Sequence, residues 1–384
     1  MDYPFLGRGF RPFFFFGAAY AVLSLFLWGG FYHGFITLPE FIDAPVHWHA
    51  HEMIYGFTMA IVAGFLLTAV ANWTGGAPAR HFHLAALVGV WMLGRLVMNV
   101  DFGFSPFVIF SVQLFFIPCL AFSLAIPLIK NWNKRNFVFL FLLTVLFLCD
   151  VAFLKTQDVR FLYAATMVIV MMISLIGGRV IPAFTVAALR RRGEEAFQTP
   201  QPKMDIAALL SLLSLIVLIA LKQTETVLMA GAALISLVIH LLRLRYYHTK
   251  RILNDPMVWV LHLGYCWLMI GLLCFALSGL DLITLSTGFH ALTAGAIGTM
   301  TLGMMVRVAL GHTGRELKAS PTTTGAFILM QAAIVLRVFV PMIDASYSIW
   351  AVPVSAYMWA GCFALYLFVY SPALWQARPD GRPA

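Results

Sequence analysis

The chain has 384 residues, of which 61% are hydrophobic and only 11% charged. A soluble domain is about 45–50% apolar and about 25% charged, so with a mean hydropathy of +0.89 a soluble enzyme, a disordered chain and a coiled coil are excluded. The apolar runs are about twenty residues long and do not alternate with polar ones, which excludes a transmembrane barrel and points to spanning helices. The net charge of +9 raises the question of which side of a membrane holds the cations; no nucleic-acid partner is expected.

Twelve spanning segments are predicted, at about 10–31, 46–71, 82–101, 107–129, 136–154, 160–179, 204–221, 225–245, 256–279, 285–310, 322–341 and 347–373. The first follows Arg8 and Arg11 and mimics a signal peptide, but its run is too long and lacks a small-residue cleavage site. It reads as the first helix. Asp43 is the expected N-cap of the second, with Pro45 in its first turn. The fourth carries Pro118 and Pro127, which allow kinks. The sixth is expected to stop in a Gly-rich turn at Gly177-Gly178-Arg179. Trp28, Trp48, Trp73, Trp132, Trp350 and Trp375 fall at segment ends, as an interfacial belt requires.

With this register, eighteen Lys and Arg lie on one side, three (Lys155, Arg160, Lys222) on the other, and four (Arg95, Arg179, Arg307, Arg337) within or at the ends of helices. The asymmetry puts both termini in the cytoplasm, in a single integral membrane domain spanning 1–384. The longest polar stretch, residues 190–203, is a connector and topology anchor. The five Cys form no CxxC or CxxCH pattern, so neither a redox dithiol nor covalent haem attachment is expected.

The second and tenth segments share a pattern. Counting from His51 and His290, Gly recurs five residues on (Gly56, Gly295) and thirteen residues on (Gly64, Gly303). Thr-Gly follows at Thr74-Gly75 and Thr313-Gly314. Segment six also ends in a Gly-rich turn, though it has no His, and segments two, six and ten are four apart, which argues for pseudo-repeats of four helices rather than the six-plus-six plan of many transporters.

Five histidines gather at one side: His33, His47, His49, His51 and His290. His51 and His290 at equal depth are candidates to ligate a haem iron. His47 and His51 share a helix face and His49 points away, so one metal cannot take all three from a regular helix. His47 and His49 are candidates for a separate metal, and imidazole suits copper, iron and zinc alike. Glu52, costly at membrane depth, is expected to be paired, to hold a histidine tautomer or to carry a proton. Arg95 and Arg337 are the deepest cations, open to haem propionates, Asp or backbone carbonyls. Met167 with Met171, and Met300 with Met304, are spaced for Cu(I) but equally for filling gaps.

The strings WHAHEMIYGF, AGFLLTAVANWTG, GGRVIPAFT and HALTAGAIGTMTLGMMVRVALGHTGR resemble the NnrS family of bacterial membrane proteins, as does the opening GFRPFFFFGAAYAVL. The motif matches include His49, His51 and Glu52 in the first block and Arg179 in the second. In the third they include His290, Arg307, His312 and Arg315. The resemblance implies a twelve-helix cytoplasmic-membrane protein that contains haem and copper and serves in tolerance of nitric oxide and nitrosative stress, often beside denitrification. It does not assign residues to metals. A small uncharged ligand such as nitric oxide suits neutral imidazole ligands, and a redox partner is possible. Two other readings stand beside it: a secondary transporter for a metal or small solute, and a haem-bearing electron-transfer or NO-metabolising subunit. A haem-copper reductase would need histidines in segments six and seven, and neither has one.

Overall fold

The computed structural model describes residues 3–382. Among them twelve helices are long and apolar enough to cross a membrane: α1 (Phe10–Tyr32), α2 (Pro45–Thr74), α3 (His81–Asn99), α4 (Pro106–Lys130), α5 (Lys134–Thr156), α6 (Arg160–Arg191), α7 (Pro202–Ala220), α8 (Val227–Leu244), α9 (Pro256–Gly279), α10 (Leu285–His312), α11 (Pro321–Ile343) and α12 (Ala345–Trp375). No strand occurs among the described residues. The protein is a multi-pass, all-helical membrane protein. Large apolar side chains such as Phe107, Phe122, Ile235 and Phe368 remain exposed, as surfaces solvated by lipid require.

The chain divides into two compact units, one of residues 1–165, 305–317 and 363–384, the other of residues 166–304 and 318–362. In the first, α1 packs on α2, α2 on α4, and α4 on α3 and α5. In the second, α9 packs on α8 and α10, with α7 on α8 and α11 on α10.

The same helix pair is built once in each unit. In α2 a seven-residue π-helical segment, Glu52–Thr58, starts one residue after His51. In α10 a segment of the same length, Ala291–Ile297, starts one residue after His290. The glycines of the repeat make equivalent close approaches. A Cβ on Gly64 of α2 would lie 2.9 Å from Phe14 and 3.0 Å from Phe13 of α1; on Gly303 of α10 it would lie 2.9 Å from Val260 and 3.0 Å from Leu261 of α9. Gly56 faces Tyr20, and Gly295 faces Trp267. Gly17 of α1 meets Ile61, and Gly264 of α9 meets Met300. One fixed offset carries α1 onto α9 and another carries α2 onto α10, so the repeat read from sequence is a repeat of packing. Met300 is thereby placed as a side chain filling the notch at Gly264. Adding a methyl where backbones are this close overpacks the contact. Gly64→Ala is expected to destabilise the protein by ~1–3 kcal/mol, measured by thermal unfolding of detergent-purified protein; an unchanged midpoint would refute this packing.

Three expectations are corrected, and one, a proline kink in the fourth segment, is met. The sixth helix does not stop at Gly178 but continues to Arg191. Its glycines serve packing: a Cβ on Gly178 would overlap the buried Arg243 guanidinium, which donates to Ser174 and pairs with Asp205 at 2.6 Å. Asp43 does not cap α2; Ala44 stands at that position without a side-chain bond, and Pro45 in the first turn removes one of the donors that needs a cap. The fourth segment is interrupted at Phe115, between Pro106–Leu114 and Phe116–Lys130, because Pro118 has no N–H for the Leu114 carbonyl. Trp28 and Trp48 are not belt residues. Both are buried, and Trp48 donates its indole N–H to the Met98 carbonyl at 3.1 Å.

Candidate functional site

The first turns of α2 carry a run of polar residues into an apolar unit, and the widened turn that follows is a feature often found at functional sites. Around it lies a buried polar network. His51 and Glu52 are wholly buried, Asp150 of α5 is 1% exposed, and Arg95 of α3 and Gln113 of α4 are also buried. His51 Nδ1 faces Glu52 Oε1 at 2.8 Å and its Nε2 faces Asp150 Oδ1 at 3.0 Å. Arg95 Nη1 donates to Glu52 Oε2 at 2.6 Å, and Nη2 donates to Gln113. Tyr20 of α1 donates to Glu52. Asn99 donates to Tyr20 at 2.9 Å and to Glu52 at 3.3 Å. Gln113 donates to Asp150 Oδ2 at 3.1 Å. Phe153 and Tyr55 wall the imidazole. The Gly56 carbonyl, inside the wide turn, accepts from Trp91 at 3.0 Å.

The geometry fixes a proton count. A neutral imidazole has one N–H, yet both ring nitrogens of His51 face carboxylate oxygens. The second contact needs another proton, on the ring or on a carboxyl group. With that proton, Arg95 and His51 together balance Glu52 and Asp150, and the buried cluster is neutral. Uncompensated charge at this depth is costly, whereas charges that are paired are tolerated; in this set only Arg95 Nε and Asn99 Oδ1 are buried without a hydrogen-bond partner. What the arrangement can do is hold one proton between three groups.

The equivalent position in the other unit differs. His290 of α10 is followed by Ala291 where His51 is followed by Glu52. Its Nδ1 lies 2.7 Å from the Ser286 carbonyl, one turn back, and its Nε2 lies 2.8 Å from Arg337 Nη2. An N–H on Nδ1 held by a carbonyl leaves the Nε2 lone pair facing Arg337, the tautomer that metal-binding histidines commonly show. The Ala294 carbonyl accepts from Trp359 at 3.3 Å, so a carbonyl of this wide turn too is tied to an indole.

The family model of the NnrS protein matches residues 4–378. The chain belongs to the NnrS family. No curated protein matches it.

Set against this NnrS-family chain, the sequence-predicted residues fall into separate groups. His51, Glu52 and Arg95 come together, with Arg95 on a carboxylate and an amide. His47 lies about one turn before His51 and His49 about half a turn before it. His49 stacks on Trp28 at 4.4 Å and 12°. His47 Nδ1 is buried without a hydrogen-bond partner, and the ring stands edge-on to Phe153. His33, just past α1, is exposed. Among the described residues no group of three His, Cys, Asp or Glu side chains is arranged to hold a metal ion. Arg179 is half-buried in α6 and Arg307 is buried in α10. His312 and Arg315 lie with Arg8 and Arg378 at the far end of α10.

Sequence reasoning missed Asp150, Gln113, Asn99 and Tyr20. Asp150 had a signal: it is the sole acidic residue in the otherwise apolar fifth segment, and an ionisable residue inside a span marks function or pairing.

Proposed function

We propose that this NnrS-family chain is a haem- and copper-binding protein of the bacterial cytoplasmic membrane, with both termini cytoplasmic, that protects against nitric oxide and nitrosative stress. The observation that carries the reading is the family match across residues 4–378. Two features of the chain's own residues support it. His290 Nδ1 is tied to Ser286, which leaves Nε2 as the acceptor of the Arg337 hydrogen bond; that lone pair becomes a ligand once Arg337 turns to an anionic haem propionate, which a guanidinium suits. His47 has a buried Nδ1 that lacks a hydrogen-bond partner, a donor atom that a cation would satisfy, with His49 two residues on. Imidazole ligands suit both iron and copper.

His51 does not fit iron as it stands, because both nitrogens are committed to carboxylates; to ligate a metal it must give up one of them. In this reading His51, Glu52 and Asp150 hold and exchange a proton beside the fixed charge of Arg95, and His290 serves the iron. Bound haem would supply a site for a small uncharged ligand such as nitric oxide. The chain orients His290 through Ser286, excludes water with apolar spans, and keeps a proton on the His51 network.

An absorption spectrum with metal analysis of the purified protein tests the reading. A Soret band with copper is the expected result. Protein free of both metals that instead accumulates a solute in vesicles would replace it with transport.

A further inference from the structure

The end of the first unit where α1 begins and α10 and α12 finish gathers four arginines: Arg8, Arg11, Arg315 and Arg378. Arg11 is wholly buried and lies within Coulombic range of the other three. Its Nη1 donates to the Leu374 and Gln376 carbonyls, both at 2.8 Å. Its Nε and Nη2 are buried and have no hydrogen-bond partner, as is Arg8 Nε. Arg8 Nη1 reaches only His312 Nδ1, at 3.3 Å. Burial, and then Arg378, push the Arg8 guanidinium below its ordinary range. Arg315 meets two neutral oxygens, of Thr313 and Gln376, at 3.4 and 3.3 Å.

Among the described residues Asp380 is the one carboxylate bonded to any of these four, and it is spent on Arg378 in a two-point pair at 2.9 and 2.5 Å. The third Arg378 nitrogen that bonds donates to the His312 carbonyl at 2.8 Å. Three guanidinium charges therefore lack an acid, and two of them point buried donors at nothing. A buried donor left unmade costs ~1–3 kcal/mol, more when charged. Such a set is not explained as a topology anchor, since anchoring cations face water. Holding the end of α12 explains Nη1, which meets the Leu374 and Gln376 carbonyls, but not the buried Nε and Nη2 donors.

We infer that this cluster is a binding site for a phosphate group, presented either by a soluble phosphate or by the headgroup of an anionic lipid. A phosphate has several strong acceptor oxygens pointing in different directions, and Arg forks on separate chain segments match it. The cluster sits at the ends of apolar spans, the level at which lipid phosphates lie. A carboxylate has acceptors in one plane only and answers fewer of these donors.

The test uses the full-length protein with two probes. Inorganic phosphate is titrated against protein in a neutral detergent, with chloride at matched ionic strength as the control. Phosphatidylglycerol is compared with phosphatidylcholine in nanodiscs. The readout is the thermal unfolding midpoint, with retained lipid counted by native mass spectrometry. A saturable rise with one probe, absent with its control, is expected. Its half-saturation should weaken at least tenfold in Arg8→Gln and Arg11→Gln and partly return in Arg11→Lys. A response to phosphate identifies a soluble ligand, and a response to phosphatidylglycerol alone identifies a lipid. Arg8 is only part-buried, so Arg8→Gln remains informative if Arg11→Gln does not fold. No saturable response from the wild-type protein, or an equal response in Arg8→Gln, would overturn the site. Neither outcome depends on haem or copper.

Discussion

Replacing Glu52 by Gln is expected to destabilise the folded protein by ~3–5 kcal/mol, the usual cost of removing one partner of a buried ion pair. The substitution keeps the size of the side chain and one acceptor oxygen. It removes the charge that Arg95 meets at 2.6 Å and that His51 Nδ1 meets at 2.8 Å. Arg95 is left with Gln113, a neutral amide, and Tyr20 must donate to a weaker acceptor. Chemical or thermal unfolding in detergent reads the effect. Glu52→Gln combined with Arg95→Gln is expected to recover part of the loss, because the two charges then disappear together. A single variant as stable as wild type would mean that the network is not neutral in the way its hydrogen bonds require.

His290→Ala is expected to abolish the Soret band of purified protein, whereas His51→Ala keeps it while lowering stability. The first removes the imidazole whose tautomer Ser286 fixes; the second removes a donor from between two carboxylates. Arg337→Gln, which alters the group next to His290 Nε2, is expected to lower haem affinity about 10–100-fold, as loss of a supporting partner does. Haem content per protein, from absorbance and the pyridine haemochrome, separates the cases. If His51→Ala loses the band and His290→Ala retains it, iron ligation passes to His51.

Much of the architecture was legible because membranes impose a simple constraint. Backbone groups in hydrocarbon must be satisfied internally, so spans show as long apolar runs, and all twelve appear where hydropathy places them. The repeat was legible through Gly64 and Gly303, since close backbone approach leaves no alternative residue. Gly177 and Gly178 were misread for the same reason: a glycine that ends a helix and one that makes room for Arg243 look alike until the partner is known. The site was half legible. Adjacent His51 and Glu52 announced a network, but the partners Asp150, Arg95 and Gln113 come from three other helices, and no local spacing links them. The engagement of both His51 nitrogens, which separates a proton-holding imidazole from a ligand, depends on those distant partners.

The wide turn has a consequence for how one helix serves two masters. A π-helical segment holds a residue more than the α-helix it replaces, and each residue of an α-helix turns the chain by about 100°. Beyond Thr58 the helical phase of α2 is therefore offset from that of its opening turns. His51 can stay aimed at Asp150 while Gly64, two turns past the segment, stays aimed at Phe13 and Phe14. The chemical face and the docking face are set independently, and α10 carries the same phase break after His290. Each unit can change the residue that follows its histidine, Glu52 in one and Ala291 in the other, without disturbing how its helix pair nests.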